Sequence, residues 1–379
     1  MILNKEKQIL AIDASRCRSG GAINHIVNIL KYVNYNELKF REVHIWSYNL
    51  LLQQIPNNKY LVKHNSSFLE LPLPFQLFWQ ALLLKYKLKK YKCTLLFTAD
   101  SSTLCNFEKQ VILNQDLLSF EKKIYARMPF SYEKIRIIIL RYIQRNAFKN
   151  AVGLIFLSNY TKNIILEDCK IKINSIVIPH GVDDDFKTKK SNNWDFDFKL
   201  KIKCVYISPI FEYKNQLNII RGINLLRQRG YDITLNLIGG GAGYYYQEIL
   251  DYIKNNESSK DWIILENFLN KEQLVLRLKE SHIFIFASSC ETFGITLLEG
   301  MSAEMPIICS NLSSLPEILS NGGLYFNPED IFEISSTLEE IILNKKLRMD
   351  LSQTAKNIST NYNWEICSKE TFKFIESYI

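Results

Sequence analysis

The stretch from Ile283 to Leu319, IFIFASSCETFGITLLEGMSAEMPIICSNLSSLPEIL, gathers groups able to hold a hydroxyl-rich polyanion. Glu291 falls in a short loop after the strand-like run Ile283–Ser288, and Phe293-Gly294-Ile295 then open a helix that carries Glu299. The first N–H groups of a helix lack intrahelical partners and lie at the positive end of its dipole, so this turn suits an anion such as a pyrophosphate. Gly294 has no Cβ to hold a ligand off the backbone. Glu291 is placed to accept hydrogen bonds from sugar hydroxyls. Glu299, about two turns along the helix, has two carboxylate oxygens, enough for both hydroxyls of a ribose if it is ionised. Taken singly, a glutamate near a helix start is ordinarily a surface residue that complements the dipole, and one in mid-helix is ordinarily solvated.

Lys214 lies in SPIFEYKNQL, directly after the apolar run KCVYIS. There it can act as a compact point cation against a diphosphate, although a plain surface charge is the alternative. Gly239-Gly240-Gly241 follow ITLNLI without the GxGxxG spacing and ribose-binding acid of a dinucleotide site, so no dinucleotide cofactor is inferred. They read as a close-approach loop. Gly20-Gly21 follow the loop SRCRS and open a helix, AINHIVNIL, that contains His25. A lone Gly-Gly is common in turns, and a lone histidine is more often structural than functional.

Short apolar runs position these residues. In the first half they are QILAID, VHIWSY, TLLFTA, VILNQ, GLIFLS and SIVIPHG; in the second, KCVYIS, ITLNLIG, WIILEN, IFIFAS and PIICSN. Near-continuous apolar strands imply sheets covered on both faces, and their alternation with helical stretches implies βαβ units with parallel strands. The pattern occurs twice. The expected fold class is therefore α/β, with two Rossmann-like domains over residues 1–183 and 184–363. A C-terminal helix at 364–379 is a candidate to pack back on the first domain. The polar segment Asp184–Asp197 reads as a linker. In such sheets ligands bind beyond the carboxyl ends of the strands, which is where the residues above fall.

A chain of 379 residues with 47% hydrophobic and 23% charged residues is of ordinary globular composition and long enough for two cores. The first residues, MILNKEKQILAIDAS, show no secretory pattern, and no apolar run approaches a membrane span. The eight cysteines, at 17, 93, 105, 169, 204, 290, 309 and 367, form no CxxC or Cys/His cluster. No zinc or other metal site is expected, and dispersed thiols suit a reducing cytoplasm. The net charge is +8. Residues 76–150 hold 14 Lys/Arg and 5 Asp/Glu, a difference of +9, so this segment carries the whole excess. Two basic, apolar stretches lie within it, Gln76–Lys92 and Lys134–Lys149. They suit either an anionic membrane surface or a core-facing helix with a solvated basic face. Without a recognised nucleic-acid module, nucleic acid is not an expected partner.

The motifs together resemble the retaining glycosyltransferases of family four, which share the GT-B fold of two Rossmann-like domains facing each other across a cleft. The similarity runs through GGAINH, IPHGVD, EYKNQ, LIGGG, ETFGITLLEG and SSLPEI, in that order. Glu291 and Glu299 match the two glutamates of that family's E-x7-E signature. The resemblance implies that Lys214 contacts the donor phosphates and that Gly20 and Gly21 lie against donor phosphates and acceptor. It further implies acceptor contact near His25, sugar contact at Gln115, nucleobase contact near Phe268, and donor contact at Phe293, Gly294, Ile295 and Gly239. The chain departs from the family in three places. Pro209 stands where many members carry an arginine, Gln115 where many carry a histidine, and Glu304 where relatives usually have a helix-ending glycine. Gln115 cannot titrate, so no general base is assigned to it.

The resemblance implies transfer of a hexose-type sugar, with retention and without metal or other cofactor, from a UDP- or GDP-sugar to a glycan or lipid-linked acceptor. O-antigen or capsule assembly at the cytoplasmic face of a membrane is the context it suggests. A nucleotide-sugar epimerase, a phosphorylase and a noncatalytic nucleotide-sugar-binding subunit are the competing readings. The phosphorylase is disfavoured because no segment resembles a pyridoxal-lysine site.

Overall fold

The computed structural model describes residues 8–18, 20–128, 130–187, 195–197 and 199–379. Residues 188–194 of the expected linker and the first seven residues lie outside them. The chain divides into two compact units, residues 1–181 with 364–379, and residues 182–363.

The first unit is built on seven parallel strands: β1 (Gln8–Asp13), β2 (Phe40–Trp46), β3 (Leu61–His64), β4 (Leu95–Thr98), β5 (Gln110–Leu113), β6 (Gly153–Phe156) and β7 (Ser175–Val177). Their order is β3-β2-β1-β4-β5-β6-β7. The helices are α1 (Gly20–Tyr32), α2 (Asn49–Gln54), α3 (Leu73–Phe78), α4 (Leu84–Lys90), α5 (Lys122–Arg127), α6 (Tyr132–Asn150), α7 (Asn159–Cys169) and, from the chain's end, α15 (Trp364–Glu376). A wider turn over Trp79–Leu83 joins α3 to α4 in one helical run. Strands β4, β5 and β6 are buried at every residue, as the apolar runs require. Helix α15 packs on α1, where the Ser368 hydroxyl donates to the Ile29 carbonyl at 2.7 Å.

The second unit repeats the plan with β8 (Ile202–Ile207), β9 (Ile233–Ile238), β10 (Ile263–Glu266), β11 (Ile283–Phe286), β12 (Ile307–Ser310) and β13 (Leu324–Phe326), ordered β10-β9-β8-β11-β12-β13 and all parallel. Its helices are α8 (Gln216–Gln228), α9 (Tyr244–Asn255), α10 (Lys271–Glu280), α11 (Ile295–Ser302), α12 (Leu315–Leu319), α13 (Ile331–Leu343) and α14 (Lys345–Ser359). Several starts are fixed by side-chain caps. Asn270 and Gln273 form a reciprocal capping box on α10, and the Asp330 carboxylate accepts from Phe332 and Glu333 N–H on α13.

Both sheets are doubly wound, and each reverses its strand order beside its first strand. The switch points lie between β1 and β4 and between β8 and β11. Connections leaving adjacent strands in opposite directions open a crevice there, where ligands bind in this architecture. Two edge strands, β3 and β13, were not among the apolar runs. Each pairs on one side only and is half-buried at most of its residues. All eight cysteines are buried and form no disulfide. Among the described residues, no helix is long and apolar enough to cross a membrane.

Candidate active site

In the second unit the loops leaving β8 and β11 flank the switch point and are stitched together. The Ser289 N–H donates to the Tyr213 carbonyl at 2.7 Å, and the Asn215 amide donates to the Ala287 carbonyl and the Ser289 hydroxyl, each at 2.8 Å. Asn215 has a positive φ of 57°, a conformation asparagine tolerates better than most residues. Tyr206 donates to the Lys214 carbonyl at 2.7 Å. The framework brings the Lys214 ammonium onto Glu291 Oε1 in a largely buried ion pair, with side chains 11% and 16% exposed. Two of the residues singled out from sequence, 77 positions apart, are thus in direct contact.

Glu291 is held from behind by residues that spacing did not reveal. Its N–H donates to the Ser313 hydroxyl at 2.8 Å, and its carbonyl accepts from Ser313 at 2.8 Å and Ser314 at 3.0 Å. These serines belong to SSLPEI, a motif the resemblance included without giving it a task.

Gly294 precedes α11 with φ 92° and ψ 62°, and a Cβ built there would lie 3.0 Å from Leu315 Cδ2. Its glycine therefore serves backbone geometry and packing inside the unit. Gly294→Ala is expected to cost about 1–2 kcal/mol, read as a lower unfolding midpoint, and to displace the first amides of α11. Thr296 anchors that first turn by donating to the Ile207 carbonyl at 3.2 Å. Ile295, half-buried, is the first residue of the helix. Phe293 was likewise expected to contact the donor. Its ring is 1% exposed and meets Tyr362 edge-on at 5.5 Å, so it is a core side chain.

Glu299 points into the unit, 8% exposed, and its Oε2 has no hydrogen-bond partner among the described residues. Burial, with a smaller contribution from Asp183, raises its pKa from 4.5 to about 8, against the lowering effect of Lys271. Near neutral pH the fold keeps it largely protonated, because desolvation disfavours the charge. Asp183, from IPHGVD, reaches it through the segment that follows the crossover between units, where Lys271 bridges Asp183 at 3.2 Å and Asp185 at 2.6 Å.

At Gly239, φ is 133° and a Cβ would fall 2.6 Å from the Ser208 carbonyl carbon, so the β9 loop lies directly on the β8 loop. Phe268, in the loop between β10 and α10, is 76% exposed. Glu304 has a left-handed φ of 57°, and its carboxylate pairs with Lys356 at 2.5 Å.

In the first unit, Gly20 and Gly21 begin α1 after β1, and a Cβ on Gly21 would meet nothing within 4 Å. Ser19 of the preceding loop lies outside the described residues. Gln115, after β5, donates to the Ala99 carbonyl at 2.9 Å. His25, expected near the acceptor, is enclosed within the unit. It is 1% exposed, its Nδ1 lies 3.0 Å from Nδ1 of His180, and both rings pack against Trp364. Burial holds His25 well below its ordinary pKa and His180 at about 3, so both rings are neutral. The pair fixes α1 to the points where the chain leaves and re-enters this unit.

Two doubly wound parallel sheets are the architecture of the GT-B fold, which the chain shares with the solved structure that superposes on nearly all of it. Residues 189–358, most of the second unit, match the family model described as Glycosyl transferases group 1. The chain is 27% identical over 230 residues to an uncharacterized glycosyltransferase of Methanocaldococcus jannaschii, covering 60% of each chain. It is 25% identical over 168 residues to O-antigen chain mannosyltransferase B of Escherichia coli, covering 44% of each. The matches thus span 60% and 44% of these curated relatives. Among solved structures, Anabaena HepE in complex with UDP and glucose superposes with a TM-score of 0.72 at 16% identity, over 98% of this chain and all of that one.

Proposed function

We propose that the chain transfers a hexose-type sugar, with retention, from a UDP- or GDP-sugar to a glycan or lipid-linked saccharide in bacterial cell-surface polysaccharide assembly. One observation carries this reading: the Lys214–Glu291 pair at the switch point, with Glu299 on the helix that starts beside it. The O-antigen relative and the UDP-bound structural neighbour are consistent with it. In this reading residues 184–363 hold the donor and residues 1–183 the acceptor.

The donor diphosphate lies against Lys214 and the first amides of α11, which oppose the charge that grows as the sugar C1–O bond to the diphosphate breaks. Glu291 accepts from sugar hydroxyls, and Glu299 takes the ribose hydroxyls. Phe268 and the loop at Gly239 border the nucleotide. The acceptor oxygen forms the new bond to C1, and its proton passes to the departing diphosphate oxygen. The protein contributes positioning and a preorganised field rather than a nucleophile.

Release of nucleoside diphosphate from a panel of UDP- and GDP-sugars, with and without saccharide acceptors, tests this. Acceptor-dependent release that survives EDTA is the expected result. Conversion of donor to its epimer without acceptor, or complete loss of activity in EDTA, contradicts it.

A further inference from the structure

Two helical segments of the first unit carry an exposed apolar stripe on the side away from their core contacts. In α6 the core side is Ile137, Gln144, Ala147 and Phe148. Tyr132, Ile135, Ile138, Ile139 and Tyr142 are between 41% and 81% exposed. Spacings of three and four residues put them along one stripe. The run from α3 to α4 repeats this. Trp79, Gln80, Leu84 and Leu88 are buried, whereas Phe75, Phe78, Leu82 and Tyr86 are between 49% and 62% exposed. Exposed Lys85, Lys89, Lys90 and Arg136 accompany the stripes.

Topology places both stripes on one side of the sheet. The connections β3 to β4 and β5 to β6 step in the same direction, and right-handed crossovers put their helices on the same face. The buried Gln80 and Gln144 amides donate to Asp13 at 2.7 Å and Asp116 at 3.0 Å, groups at or just beyond the carboxyl ends of β1 and β5. Helix α6, about 28 Å long, also outruns its four-residue neighbours β5 and β6, about 13 Å each. Its N-terminal half, which bears the stripe, therefore extends toward the carboxyl edge of the sheet.

We propose that these two helices dock the protein on an anionic phospholipid bilayer. The apolar stripes enter the acyl–headgroup boundary, and the lysines and arginines meet lipid phosphates. The +9 excess of residues 76–150 supplies charge complementarity. A fluid anionic interface accepts convex apolar helices without a matching groove. Nucleic acid fits poorly, because aliphatic Ile and Leu gain nothing from a phosphodiester backbone. The inference stands apart from the sugar-transfer reading, since vesicle binding needs no donor or acceptor.

Vesicle flotation of the intact chain tests it, with phosphatidylcholine alone and with about 30 mol% phosphatidylglycerol. Binding to the anionic vesicles is expected to be at least about tenfold tighter and to weaken with salt. The triple variant Ile138→Ser/Ile139→Ser/Tyr142→Ser and the double variant Lys85→Glu/Lys89→Glu should each lose about tenfold or more of that binding at an unchanged unfolding midpoint. Equal binding by wild type and both variants, or no preference for anionic vesicles, overturns the proposal. So does wild-type self-association in sedimentation that the triple variant abolishes, which assigns the stripe to a second copy of the chain.

Discussion

Lys214→Met is expected to lower kcat/KM for sugar transfer by about 10²–10³-fold or more, the usual effect of removing one preorganised group aimed at developing charge. The family's neighbouring arginine position is Pro209 in this chain. The substitution also leaves Glu291 buried without its cation, and breaking a buried pair costs about 3–5 kcal/mol whatever the function. A second variant separates these effects. Lys214→Met/Glu291→Gln removes both charges, so its unfolding midpoint should recover toward that of the wild type while transfer stays lost. Recovery of activity along with stability would reduce the pair to a structural role.

Glu299→Gln has the second large effect, in two opposed directions. The wild-type carboxyl titrates at about 8 in the fold against an ordinary 4.5. A pKa raised by folding means that the native state binds more protons than the unfolded chain between those values. The stability this group contributes is therefore complete below pH 4.5 and is lost as pH rises toward 8. Over that window the wild type should lose on the order of a few kcal/mol relative to Glu299→Gln, which has nothing to ionise. Chemical denaturation of both proteins at pH 5 and pH 8 reads the difference. Above about pH 8, where the wild-type carboxyl is ionised, nucleotide affinity moves the other way, falling by about tenfold or more in the variant, because hydrogen bonds to a charged acceptor are the stronger ones. A buried carboxyl that costs stability and strengthens ligand binding is the trade expected of a functional site. A variant as pH-dependent as the wild type would remove the argument.

The central strands were legible because a parallel sheet covered on both faces demands continuous apolar runs, as LLFT in β4 and IFIF in β11 show. The edges were not. LVKH in β3 and LYF in β13 pair on one side and leave half their surface to solvent, so their composition carries no comparable signal. The same division holds at the site. Lys214, Glu291 and Glu299 stand out by type and spacing, whereas Asn215, Ser313 and Ser314 act by tying loops together across the switch point. Such roles exist only once the backbone is placed. The enclosure of His25 depends on His180, 155 residues away, and was equally unreadable. In α6 one apolar periodicity hides two faces, and only exposure separates the stripe at Ile135, Ile138 and Ile139 from the core at Ile137 and Phe148.

Calorimetric titration of UDP and GDP above pH 8, where Glu299 is ionised, into the wild type, Lys214→Met and Glu299→Gln examines the arrangement most directly. At least one nucleotide should bind the wild type with a dissociation constant in the micromolar range, and each substitution should weaken it about tenfold or more. A wild type that binds neither, or variants that match its affinity, would mean that the ammonium and the two carboxyls do not form a nucleotide-sugar site.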